Sequence, residues 1–171
     1  MKRYTHVYTG NGKGKTTAAL GLGVRALGND LRVYIGQFMK GQKYGELNTL
    51  EKLGVPVERF GTENCIIGPA DVKEIDRLKA REGYERVEEI LTGGKFDLVI
   101  LDEICVSTYF KLITPEEILH LMDIKPDNTE LILTGRYAPE EVIEAADLVT
   151  EMKEIKHYYN SGVMARDGIE R

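Results

Sequence analysis

Cysteine is scarce in this chain: there are two, Cys65 and Cys105, and no C-x-x-C pair. That argues against a zinc ribbon or a disulfide framework and leaves two buried or half-buried free thiols. The three histidines, His6, His120 and His157, fall on different elements and so form no metal cluster. His6 reads as a satisfied core residue and His120 as helix surface, while His157 is kept as a site candidate. No apolar run approaches the roughly 20 residues that cross a bilayer, so no membrane association is expected. Met1-Lys2-Arg3 leads into a strand rather than an apolar signal segment, and the expected location is cytoplasmic. Lysine/arginine runs are missing too, and the net charge is −5, which excludes a general electrostatic attraction to nucleic acid. Neither low-complexity segments nor internal repeats occur.

What is present is an ordinary composition, 42% hydrophobic and 30% charged, in 171 residues. That suits one compact domain spanning 1–171 with a real core. The chain is organised around Thr9-Gly10-Asn11-Gly12-Lys13-Gly14-Lys15-Thr16-Thr17, which ends a short apolar stretch and opens a helical one. Glycines there let the backbone turn successive N–H groups inward at a helix N-terminus, a setting that suits a polyphosphate. Lys15 offers a mobile cation for the terminal phosphates and Thr16 a hydroxyl oxygen for Mg²⁺. The pattern departs from strict G-x-x-x-x-G-K-[ST] in having Thr9 where glycine is usual. The expectation is a nucleoside triphosphate site.

Strands are expected at 4–8, 31–38, 55–60, 96–103, 129–133 and 148–152, and helices at 16–28, 47–53, 69–91, 114–122 and 139–146. The helix at 69–91 would bury Val72, Ile75, Leu78, Val87, Ile90 and Leu91, with Gly83 a weak point midway. The strand at 96–103 carries an uninterrupted apolar run, Leu98 to Leu101, as in a parallel sheet covered on both faces, and it ends in Asp102-Glu103. In phosphate-loop proteins a carboxylate here faces the metal, and either acid could be the one. Arg136 follows the strand at 129–133 and could neutralise phosphate or form a structural salt bridge. The loop 61–68 carries an unusual apolar tip, Cys65-Ile66-Ile67, which would cover the core, a subunit neighbour or a substrate. Alternating strands and helices predict an α/β, three-layer P-loop fold with a mostly parallel central sheet. These motifs alone leave open hydrolysis, phosphoryl transfer or attack elsewhere on ATP.

The segments TGNGKGKTTAALG (9–21), QFMKG (37–41) with Gly45-Glu46, LVILDE (98–103), LTGR (133–136) and EIKHYYNSGVMARDGIE (154–170) together resemble P-loop ATP:corrinoid adenosyltransferases. The resemblance runs in order over nearly the whole chain. It implies a RecA-like fold, a homodimer, and transfer of the 5′-deoxyadenosyl group of ATP to the reduced cobalt of a corrinoid, releasing triphosphate. It implies ATP bound with C5′ toward the corrinoid, Lys15, Thr16 and Glu103 as the residues carrying the chemistry, and Mg²⁺ on Thr16 with Asp102 or Glu103. Lys13, Lys40, Glu46 and Arg136 join the loop residues 9–17 in holding the nucleotide. Cys65, Ile66, Ile67 and His157 become candidates for the corrinoid, and there is room for a flavoprotein reductant. Two departures stand out. Family members carry an N-terminal extension over the corrinoid and aromatic residues after a Gly-Thr pair, whereas Gly61-Thr62 here is followed by Glu63-Asn64-Cys65-Ile66-Ile67. The alternatives are a small-molecule kinase of the nucleoside type, without the zinc cysteine pairs common there, or a nucleotide-binding regulatory protein.

Overall fold

The computed structural model describes residues 2–42, 44–64 and 66–170. Its frame is one six-stranded sheet: β1 (Thr5–Thr9), β2 (Val33–Phe38), β3 (Val57–Phe60), β4 (Leu98–Asp102), β5 (Glu130–Thr134) and β6 (Leu148–Glu151). The spatial order is β3-β2-β4-β5-β1-β6, and every neighbouring pair is parallel. Parallel neighbours require crossovers, which α1 (Lys15–Leu27), α2 (Gly45–Lys52), α3 (Glu74–Thr92), α4 (Ile104–Tyr109), α5 (Pro115–Ile124) and α6 (Glu140–Ala145) supply.

Two cores follow from this wrapping. On one face Ala19 and Ala26 of α1 and Leu50 of α2 pack on Val33, Ile35, Ile100 and Ile132. On the other, Val87, Ile104, Leu121 and Val142 pack on Tyr34, Leu101, Leu131 and Leu133. Helices on both faces of a parallel sheet make the three-layer α/β arrangement expected from the sequence. β2 and β4 are buried at every position, which is why their sequences read as continuous rather than alternating apolar runs. The edge strand β6 differs: Leu148 and Val149, on opposite faces, are both exposed.

The strand order fixes where chemistry can happen. β5 lies between β1, which feeds the glycine-rich loop, and β4, which ends in Asp102. The C-terminal ends of β1, β5 and β4 therefore open on the same edge, where ligands bind in open α/β sheets.

Three expectations need correction. The continuous helix at 69–91 is instead a 3₁₀ turn at Pro69–Asp71, an extended link through Val72 and Lys73, and then α3. The Asp71 carboxylate accepts the Ile67 and Gly68 N–H groups, and Asp76 accepts that of Lys73, so each acid closes a local turn and starts a new segment. Ile75 and Leu78 are exposed, and the buried stripe of α3 is Asp76, Ala80, Gly83, Tyr84, Val87, Ile90 and Leu91. The helix α4 was not anticipated, because it begins directly after the acidic end of β4. His6 is half-buried with its Nε2 2.8 Å from Glu130 Oε1, and exposed His120 has its Nε2 3.1 Å from Glu88 Oε1.

Gly83 is a point of close approach rather than of weakness. A Cβ there would stand 2.5 Å from Cγ of Phe60, whose ring also packs on Phe38 at 5.4 Å. Gly83→Ala should therefore destabilise by about 1–2 kcal/mol, overpacking outweighing the gain in helix propensity. Calorimetry would show a lowered Tm; a raised one would mean that the Phe60 ring moves aside freely.

Cys105 is fully buried on α4, and burial, helped by the charge of Glu103, pushes its thiol pKa up to about 12. It is an inert core residue. Cys65 lies outside the described residues. Among the described residues no helix is long and apolar enough to cross a membrane.

Candidate active site

The glycine-rich loop joins β1 to α1 and is laced to the end of β6. Gly12 N–H donates to the Met152 carbonyl at 2.7 Å, and Met152 N–H donates to Thr9 O at 2.8 Å. Gly10 and Gly14 sit at φ 98° and 120°, and a Cβ on Gly10 or Gly12 would meet the Met152 carbonyl at 2.5 or 2.7 Å. Only glycine allows both the left-handed turn and this approach. α1 begins with no side chain capping its first turn, so its leading amides remain available to an anion.

Lys15 is not the solvated side chain implied by reading it as a simple ligand contact. It is only 7% exposed, and its Nζ donates to the Gly12 carbonyl at 2.8 Å. Burial lowers its pKa, with Glu103 acting in the opposite direction. The ammonium is thus folded back over the loop that it would serve.

Asp102 is the electrostatic hub. Its carboxylate is completely buried and accepts from Thr16 Oγ1 at 2.8 Å, Thr134 Oγ1 at 2.6 Å and Lys40 Nζ at 2.6 Å. Three elements, the start of α1, the end of β5 and the loop after β2, therefore converge on one acid. For Lys40, burial acts against the ammonium, and the Asp102 charge and hydrogen bond outweigh it, leaving its pKa raised. Lys40 also stands over the Tyr44 ring, 4.9 Å from its centroid. The next residue, Glu103, has left-handed backbone (φ 61°) and is pinned by its N–H donating to Thr134 Oγ1 at 3.0 Å. Desolvation and the neighbouring Asp102 charge raise its pKa.

Three adjoining clefts open on this edge. The first, about 310 Å³, is lined by residues 11–17 with Glu103, Arg136, His157, Ile169 and Glu170. A second, about 470 Å³, is bounded by Thr16, Thr17, Leu20, Lys40, Tyr44, Glu46 and the 168–170 stretch. The third, about 380 Å³, is lined by Met39, Lys40, Tyr44, Ile66, Ile67, Glu103, Val106, Tyr109, Phe110, Arg136 and Tyr137. Arg136 is exposed, belongs to two of the clefts and makes no ion pair among the described residues, so the salt-bridge alternative is not realised.

The structure groups most of the sequence candidates and separates others. Loop residues 9–17, Lys40, Asp102, Glu103 and Arg136 share this edge, and Glu46 accepts from Gln37 Nε2 at 3.3 Å on its border. Ile66 and Ile67 line the third cleft, Ile66 packed on the core and Ile67 83% exposed. His157 lies instead on the phosphate-loop side. Lys13 reaches the C-terminal stretch, donating to Tyr158 Oη, the Ile169 carbonyl and Glu170 Oε1 at 3.2, 3.1 and 2.9 Å. Arg166, Lys13 and Tyr158 hold the Glu170 carboxyl well below the ordinary carboxylate range. Thr134 and Gln37 stand in the sequence only as parts of LTGR and QFMKG, with no role of their own. Gln37 pairs in register with Asp102, is fully buried, and its Oε1 has no partner among the described residues. Its signal was available, as the one polar side chain after the apolar run 33–36.

The family model described as ATP:corrinoid adenosyltransferase BtuR/CobO/CobP matches residues 1–171, the entire chain. The chain belongs to the ATP:corrinoid adenosyltransferase family. Among curated relatives of that family, the corrinoid adenosyltransferase of Escherichia coli K12 is 35% identical over 165 residues, covering 96% of this chain and 83% of its own. Corrinoid adenosyltransferase CobA of Salmonella typhimurium LT2 is 33% identical over the same shares. A corrinoid adenosyltransferase from Sinorhizobium is 37% identical over 168 residues, 96% of this chain and 78% of its own.

Proposed function

We propose that the chain transfers the 5′-deoxyadenosyl group of ATP to the reduced cobalt of a corrinoid and releases triphosphate. The observation that carries this reading is a phosphate loop whose threonine and acidic strand end are already joined through Asp102, in a chain matched by the family model throughout. In the reaction the cobalt(I) electron pair attacks C5′ and forms the Co–C bond. The C5′–O5′ bond breaks, its pair leaves on the triphosphate, and cobalt becomes formally cobalt(III). No proton is transferred, so no general base is called for. What the protein must supply is positioning and stabilisation of a polyanionic leaving group. Lys15, the α1 amides and Arg136 suit that task, with Lys13 at the rim once it exchanges Glu170 for phosphate. ATP would lie with its triphosphate in the first cleft and its nucleoside toward the second, beside Tyr44 and Glu46.

The donor set at Thr16 fits Mg²⁺, a hard cation that prefers oxygen and keeps several waters. Bound there, Mg²⁺ would neutralise triphosphate charge. Both oxygens of Asp102 already have partners, one of them cationic Lys40, so in this reading Thr16 is the direct protein ligand and Asp102 orients it. Glu103 faces the phosphate cleft as the second acid. A homodimer belongs to the same reading, supported by the exposed edge strand β6 with Leu148 and Val149 uncovered. So does a cytoplasmic, ATP-rich setting with a flavoprotein as the class of electron donor.

Product analysis tests the proposal. With ATP and chemically reduced cobalamin, adenosylcobalamin and intact triphosphate should form in equal amounts. ADP appearing only with an added acceptor would sink it in favour of a kinase.

A further inference from the structure

Backbone strain in this protein is concentrated. Among the described residues five non-glycine positions have positive φ, and three of them, Met39 (58°), Glu103 (61°) and Tyr137 (55°), line the third cleft. They follow the ends of β2, β4 and β5 respectively, at the edge where ligands bind. Left-handed backbone is unfavourable for any residue with a Cβ and worse for a bulky one, and such strain persists where it aims side chains for function.

What the strain aims is an aromatic pair. The rings of Tyr137 and Tyr109 lie with centroids 4.7 Å apart and planes 32° from parallel, and Phe110 braces Tyr109 edge-on at 5.2 Å and 87°. Tyr109 is 49% exposed and Tyr137 52% exposed, so both rings are held by aromatic contacts yet left half in water. An exposed, mutually stacked aromatic surface that shares its cleft with a bare Ile67 suits a large, flat, partly apolar ligand. The cleft also shares Glu103 and Arg136 with the phosphate-loop cleft and Lys40 and Tyr44 with the second cleft. A ligand on the tyrosines therefore has one edge at the nucleotide.

We infer that Tyr137 and Tyr109 form the platform on which one side of the corrinoid ring rests, with Ile67 lining the same cleft and the Lys40, Glu103 and Arg136 wall between ring and triphosphate. This assignment rests on the proposed reaction and deepens it. It puts aromatic contact on α4 and the loop after β5, not in the loop 61–68, whose tip is aliphatic. The pair are positioning residues: they hold the substrate and take no part in bond making.

Tyr137→Gly separates this role from a structural one. Glycine accepts the left-handed backbone, so Tm should hold or rise, while the KM for cob(I)alamin increases about tenfold or more, the scale of one lost stacking contact. The KM for ATP should stay within about twofold, and equilibrium dialysis with cob(II)alamin and ATP should show the same weakening. Tyr137→Phe should behave as wild type, and Tyr109→Ala should repeat the corrinoid defect. Unchanged corrinoid KM and binding in Tyr137→Gly would overturn the inference. So would a raised KM for ATP alone, which would give the rings to adenine. Wild-type protein that binds cob(II)alamin but forms no adenosylated product would overturn the proposed reaction, and the platform with it.

Discussion

Lys15→Ala should lower kcat/KM for ATP by about a thousandfold or more while the protein stays folded. The two halves of that expectation come from different facts. Among the described residues Lys15 Nζ has one hydrogen-bond partner, the Gly12 carbonyl, so its loss removes a single bond worth about 1 kcal/mol. For a chain of this size that lowers Tm by roughly 2–4 °C. Catalysis loses far more, because among the described residues of the loop Lys15 is the cation folded over it, while Lys13 is turned to the C-terminal stretch. When a polyphosphate enters, the buried ammonium exchanges one neutral carbonyl for anionic oxygens, a contact stronger than its equivalent in bulk water. Circular dichroism and steady-state kinetics on one preparation check both halves. A folded variant with wild-type turnover would show that the loop does not hold the triphosphate.

Asp102→Asn should be damaging in a second way, by unsettling the fold as well as the reaction. The buried carboxylate serves two hydroxyls and one ammonium. An asparagine keeps one acceptor oxygen and turns two N–H donors toward groups that are themselves donors. Lys40, whose side chain is 12% exposed, then carries a nearly buried charge without its partner. Breaking such a pair from one side typically costs about 3–5 kcal/mol, or roughly 10 °C in Tm. Activity should require much more Mg²⁺, because Thr16 would no longer be held by an anion. Glu103→Gln is the control: its carboxylate lines clefts instead of joining elements, so the fold should survive while turnover falls. Combining Asp102→Asn with Lys40→Met should restore much of the lost stability and none of the activity. Urea midpoints and Mg²⁺ titrations unchanged in Asp102→Asn would dispose of the hub.

The parts of this architecture legible in the sequence were those governed by local rules. An apolar run ending in two acids, a glycine-lysine loop and a Thr-Pro-Glu-Glu start each carry their own signal; the last reappears as Thr114 capping α5 with reciprocal bonds to Glu117. Residues whose setting is made by distant chain were not legible. Lys15 reads like any loop lysine, and its burial depends on the surrounding fold. Ile75 and Leu78 look like core because they are apolar, yet α3 turns Ala80 and Gly83 inward to let Phe60 approach. The C-terminal stretch carries no clue that Glu170 lies against Lys13, which is 157 residues earlier. Tyr109 and Tyr137 show no periodicity linking them, since they meet only through the ends of two neighbouring elements.

The placement of β5 between β1 and β4 also sets an order of assembly. Thr16 and Asp102, 86 residues apart, meet directly, and Thr134 at the end of the strand between β1 and β4 donates to the same carboxylate. A nascent chain that has not yet emerged past residue 134 can form the β3-β2-β4 half of the sheet but has no strand to join it to the phosphate loop. Closure of such long loops comes late and slowly in parallel sheets. The acquisition of ATP affinity during synthesis or refolding would therefore report the final docking of the two halves, and mutations that weaken β5 would appear first as delayed maturation.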